Sequence, residues 1–128
     1  MNTADLEPEQ ERSADWDQLW RELPEQIEDL NAAENELRWR AQQRLVQRQF
    51  GSPQDLRVVE LGAGRATNAL LYARNGARAT VIDKSPVALD QASRRFAEYG
   101  LDVETIEADV FSLPDEIRGR YDISMSFG

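Results

Sequence analysis

Periodicity appears along this chain in stages. Residues 1–12 mix acids with small polar residues and Pro8, which predicts a disordered acidic tail. From Ser13 the apolar positions fall at helical spacing. Trp16, Leu19, Trp20 and Leu23 form an i, i+3, i+4, i+7 stripe behind a Ser13 cap. Pro24 interrupts that stripe, and Ile27 and Leu30 continue its apolar face. A longer helix is expected next, with Asn31 as N-cap and Glu34 completing a capping box. Leu37, Ala41 and Leu45 share one face of it with Arg44 and Arg48, and Gly51 with Ser52-Pro53 stops it.

After Pro53 the period changes. Strands are predicted over Arg57 to Leu61, Ala79 to Ile82 (with Asp83 at its end), Val103 to Ala108, and Tyr121 to Phe127. Between them lie a helix from Arg65 to Asn75, closed by Gly76, and one capped by Ser85 that runs to about Tyr99. Val87, Leu89, Ala92, Phe96 and Tyr99 give the second of these an inner face, and Pro114 to Ile117 fit a short turn. Strands alternating with helices predict an α/β fold, a parallel sheet with right-handed crossovers. The chain thus divides into a tail over 1–12, a helical cap over 13–51 and an α/β domain over 52–128. Trp16, Trp20 and Trp39 have two readings: rings that dock the cap onto the sheet, or the lining of a lid over a ligand mouth.

Composition narrows the chemistry. With no cysteine and no histidine among 128 residues, thiolate metal sites, disulfides and the commonest general base are all excluded. No apolar run approaches the roughly 20 residues that span a bilayer, and the acidic N-terminus is unlike a signal peptide. The expectation is a soluble, cytoplasmic chain with no membrane partner. The net charge of −9 is uneven: −10 over residues 1–36, +4 over 37–51 and −3 over 52–128. An acidic chain is a poor ligand for a nucleic-acid backbone, so no nucleic-acid partner is expected.

The most informative segment is Val58-Val59-Glu60-Leu61-Gly62-Ala63-Gly64-Arg65-Ala66. An apolar run ends in an acid, a glycine-rich turn follows, and a helix begins. Such a junction holds a nucleotide-like ligand against bare backbone. Glu60 would face a pyrophosphate as one anion faces another, so it suits a ligand with a positively charged part. Asp83 lies 21 residues after Gly62 at the end of the second strand, where a carboxylate can accept from both hydroxyls of a ribose.

These residues resemble motif I of the class I S-adenosylmethionine-dependent methyltransferases, Glu/Asp-x-Gly-x-Gly-x-Gly, with Ala66 in place of the third glycine. The nicotinamide fingerprint fits worse, because its third glycine falls on Thr67. The resemblance implies a Rossmann-like sheet of order 3-2-1-4 and S-adenosylmethionine as cofactor. It implies a cofactor site at Glu60, Gly62, Ala63 and Gly64, at Asp83 and Lys84, at Asp109 and Val110, and at Ser126. Asp83 would hold the ribose, Asp109 the adenine amine, and Val110 would pack on the adenine ring. Asp122 starts its strand far from the cofactor and is expected to be structural. No catalytic residue is implied, because the chemistry needs alignment rather than a base, and no metal is implied.

The resemblance covers residues 55–128 and stops after four of the seven strands of the family fold, as expected of an N-terminal half cut after strand 4. A small-molecule acceptor is expected, since the Asn/Asp-Pro-Pro-Tyr/Phe motif of amino-group methylases is absent from Ser126 to Gly128. Strand 4 would then be an edge, open to self-association. The rival readings are a non-catalytic S-adenosylmethionine-binding or interaction module and, less favoured, an NAD-dependent oxidoreductase.

Overall fold

Three consecutive residues of the first strand, Val58, Val59 and Glu60, are buried, so that strand is covered on both faces. The computed structural model describes residues 16–22 and 30–126. Helix α1 is described over residues 16–22. There follow α2 Leu30–Glu34, α3 Leu37–Phe50, β1 Arg57–Leu61, α4 Thr67–Arg74 and β2 Arg78–Asp83. The chain continues through α5 Pro86–Glu98, β3 Val103–Glu107, a 3-10 turn Asp115–Ile117 and β4 Ile123–Met125. The sheet is parallel throughout, in the order β3-β2-β1-β4. This is the Rossmann-like α/β arrangement that the sequence predicts.

Side-chain alternation sorts the two faces of the sheet. Val58, Ala79, Val81 and Met125 belong to a core shared with Leu70, Leu71 and Tyr72 of α4 and with Leu89, Ala92 and Phe96 of α5. The opposite face carries Val59 and Ile82. Together with Leu113, Ile117 and Tyr121 from the segment before β4, they line a cavity of about 260 Å³. Asp122 fastens that segment to β1: its Oδ2 accepts from the Arg57 backbone N–H at 2.8 Å, and its side chain pairs with the Arg57 guanidinium. These bonds hold its carboxyl below the usual range, with the backbone donor the largest cause.

The predicted stops after α3 and α4 and the predicted Ser85 cap are present. Gly51 and Gly76 take positive φ angles of 81° and 98°, as the ends of α3 and α4 require. The Ser85 hydroxyl accepts from the Ala88 N–H at 3.1 Å and caps α5. Tyr99, expected on the inner face of α5, is exposed instead.

The helices before the sheet differ from expectation. Asn31 lies inside α2 rather than capping a long helix. The helix breaks at Asn35 and Glu36, and the extended backbone of Glu36 starts α3 with no side-chain cap. The inner face of α3 is Trp39 and Val46, both buried, whereas Leu37 and Leu45 are 79% and 59% exposed. Trp39 meets Tyr72 edge to face with ring centroids 4.9 Å apart, and the Tyr72 hydroxyl donates to Gln42 at 3.1 Å. Trp39 brings a large apolar surface together with an edge-to-face partner in Tyr72, and this rotation also leaves Arg40, Arg44 and Arg48 in water. Strand β4 is shorter than predicted, and Phe127 and Gly128 lie outside the described residues. So do the tail over 1–12, Ser13, Leu23, Pro24 and Ile27. Among the described residues no helix is long and apolar enough to cross a membrane.

Phe96 is fully buried between α5 and the sheet, while Phe111 is 93% exposed. Phe96→Ala should cost about 3–5 kcal/mol in urea unfolding, and Phe111→Ala less than about 0.5 kcal/mol.

Candidate functional site

Parallel strands place their carboxyl ends side by side, and the turns leaving those ends form the site. Register puts Leu61 beside Ile82, Asp83 beside Glu107, and Glu60 beside Met125. The Gly62–Gly64 turn, Asp83, Asp109 and Ser126 therefore gather along one edge of the sheet.

The turn after β1 is sharply bent. Gly62, Gly64 and Ala66 all have positive φ, at 59°, 55° and 55°. A Cβ at Gly62 would meet nothing within 4 Å, so a ligand can lie against this backbone. At Gly64 a Cβ would fall 2.8 Å from the Trp20 ring, which lies directly over the turn. Ala66 is a non-glycine residue held in the left-handed region and fully buried.

Glu60 lies beneath this turn. Its position in β1 alternates toward the helical layer, where Oε1 accepts from the Ala69 N–H at 2.8 Å in the first turn of α4. Burial pushes its carboxyl up to about 7, opposed by the Ala69 N–H and by the charge of Arg95. Glu60 also lines a cavity of about 230 Å³ with Glu36, Arg38, Trp39, Arg65 and Asn68. The motif acid thus supports the helix and faces a polar cavity at once.

Asp83 braces the turn from the neighbouring strand. Its Oδ1 accepts from the Ser85 N–H at 2.9 Å and its Oδ2 from the Gly64 N–H at 3.4 Å. Each oxygen keeps a lone pair for another donor. Asp109 accepts from the Phe111 N–H at 2.9 Å through Oδ1, so it shapes its own loop. Its other oxygen has no hydrogen bond among the described residues. Val110 beside it and Ser126 after β4 are exposed, and Lys84 is half-buried. No cluster of three or more metal-ligating side chains occurs among the described residues.

Helix α1 crosses the mouth of the site. Asp17 accepts from the Ser85 hydroxyl, and Gln91 donates to the Trp20 carbonyl at 2.9 Å. The three tryptophans therefore divide: Trp39 docks helix on helix, Trp20 covers the turn, and Trp16 is exposed. Asp17, Gln91 and Arg95 escape motif-based reasoning. For Arg95 a signal did exist: it stands three residues after Ala92 and seven after Ala88, inside the buried stripe of α5.

The methyltransferase domain family matches residues 58–128, more than half of the sequence, and the chain belongs to that family. Among curated proteins none matches it significantly. Several solved structures share the fold. One is YjhP from E. coli, at 25% identity and TM-score 0.58 over 82% of this chain and 40% of that one. Another is magnesium protoporphyrin IX methyltransferase from Synechocystis PCC 6803 with bound SAH. It aligns at 21% identity and TM-score 0.61 over 89% of this chain and 53% of that one. A third, described for converting a disulfide bond into a thioacetal group in echinomycin biosynthesis, aligns at 29% identity and TM-score 0.53. That alignment covers 56% of this chain and 29% of the other. The chain spans between 26% and 55% of the length of such structures.

The Glu60 carboxyl ionises near 4.5 in an unfolded chain and near 7 when folded. The folded state therefore holds its proton more tightly. The associated stability is fully present below about pH 4.5 and is lost as pH rises through about 7. Glu60→Gln keeps an acceptor for Ala69 and removes the charge. It should raise stability at pH 8 by up to about 3 kcal/mol, with the gain vanishing near pH 4.5 in denaturant titrations.

Proposed function

We propose that this chain binds S-adenosylmethionine at the carboxyl edge of its sheet and forms the cofactor-holding part of a methyltransferase. The observation that carries the reading is the bent turn Gly62–Ala66 flanked by Asp83, within a chain of the methyltransferase domain family. The residues fit the group. Gly62 is open, Asp83 has acceptor capacity left for two ribose hydroxyls, and Asp109 has a free oxygen for an adenine amine. The polar cavity offers Glu60 and Glu36 beside Arg38 and Arg65, opposite charges suited to the ammonium and carboxylate of an amino-acid tail.

When bound, S-adenosylmethionine supplies a sulfonium methyl open to in-line displacement. The residues of this chain hold and orient, and no general base is assigned among them. Backbone at Gly62 and Ala63 lies against the ligand, and Asp83 fixes its ribose. Val110 packs on the purine, while Lys84 and Ser126 stand at the rim beside it. Trp20 and α1 exclude water from above, and must shift where the ligand crosses Gly64. The acceptor is a small molecule on this reading, because neither the charge nor the residues after β4 suit a nucleic acid.

Calorimetric titration with S-adenosylhomocysteine and with NAD tests the reading. The sulfur ligand should bind and NAD should not, and the reverse result would refute it. Asp83→Ala should weaken binding at least about tenfold, since it removes charged hydrogen bonds. Asp122→Ala should lower the melting temperature more than the affinity.

A further inference from the structure

Arg95 belongs to α5, a helix that carries none of the site residues, yet it reaches the turn that does. Its Nη1 donates to the Arg65 carbonyl at 2.8 Å and to the Thr67 hydroxyl at 3.0 Å. Those two acceptors bracket Ala66, the residue held in the left-handed region at φ 55° and ψ 34°. An alanine has no intrinsic reason to stay there. Its own N–H is bound by the Ala63 carbonyl at 2.9 Å and its carbonyl by the Leu70 N–H at 2.9 Å, but neither bond reaches the Arg65 peptide before it or the Thr67 side chain after it. The flanking peptide on one side and the first helical side chain on the other are both held by a single guanidinium.

We infer that Arg95 is a positioning residue for the ligand turn, clamping the Arg65 carbonyl and the Thr67 hydroxyl so that Ala66 stays left-handed and α4 starts in place. The clamp has a charged floor. Arg95 is the cation acting on the buried Glu60, and Glu60 in turn holds the Ala69 N–H. Glu36, Arg38 and Arg65 are the other charged groups lining the cavity beside Glu60. One guanidinium nitrogen of α5 therefore ties the turn to the start of α4.

The effect on the turn stands on this geometry alone; the effect on affinity rests on the S-adenosylmethionine reading. Amide hydrogen exchange on the ligand-free chain tests the first. In Arg95→Met, exchange across residues 62–69 should accelerate on the order of tenfold, as loss of hydrogen bonds from a charged donor implies. Exchange in β1 and β2 should stay unchanged. Titration with S-adenosylhomocysteine tests the second, with a dissociation constant raised on the order of tenfold and a melting temperature close to wild type. Unchanged exchange in the turn, or acceleration spread equally over the sheet, would overturn the proposal. So would an unaltered affinity in a wild-type background that binds. A wild-type chain that binds no S-adenosylhomocysteine sinks the function reading alone, and the exchange measurement still decides on Arg95. Should Arg95→Met fail to fold, Thr67→Val removes one acceptor and should give a smaller acceleration confined to the same turn. No acceleration there would equally overturn the proposal.

Discussion

A carboxylate is buried where the central strand hands over to its first crossover helix, and much of the site follows from how that charge is accommodated. Glu60 could not stay under α4 without a donor, and the Ala69 N–H supplies one from the otherwise unsatisfied first turn of the helix. That bond fixes where α4 begins. The turn between Leu61 and Thr67 must then cover a short span with three residues at positive φ. Two are glycines, for which the conformation is free of a Cβ clash. The third is Ala66, and its surroundings hold it.

The strand ends, the turn and the acids beside it are thus one construction rather than a list of sites. Asp83 joins β2 to the turn through the Gly64 N–H and to α5 through the Ser85 N–H. Ser85 caps α5 and also bonds Asp17 of α1. Side chains of the proposed ligand site therefore also carry the packing of two helices and of the segment above the turn. Motif residues here have structural partners and spare acceptor capacity together.

Much of this was legible in the sequence. The strands and the turn follow from short apolar runs punctuated by Gly62, Gly64, Gly76 and Gly100, because period and turn chemistry are local properties, whereas the strand order came only with the resemblance to the family. The packing of α3 was not legible. Leu37, Ala41 and Leu45 form as good a helical stripe as Trp39 and Val46, and only the facing Tyr72 decides between them. The break at Glu36 was hidden for the same reason: Asn31 and Glu34 match a capping box whose geometry the chain does not adopt. The helical spacing marks Trp20 and Arg95 as facing inward, but the residues they act on lie far off in sequence and are not named by that spacing.

The pairing of β4 with β1 bears on how the chain reaches this fold. β1 meets β2, and β2 meets β3, after a single crossover of about twenty residues. The Arg57–Asp122 contacts that seat β4 close a loop 65 residues apart. Chain entropy makes that closure dearer by about 1 kcal/mol than a crossover of a third its length. Only three residues of β4 then join the ladder. Strand β4 is therefore held to β1 by a shorter ladder and a more distant contact than β2 is. The cavity lined by Val59, Leu61 and Tyr121 is bounded by the segment that this long-range contact secures.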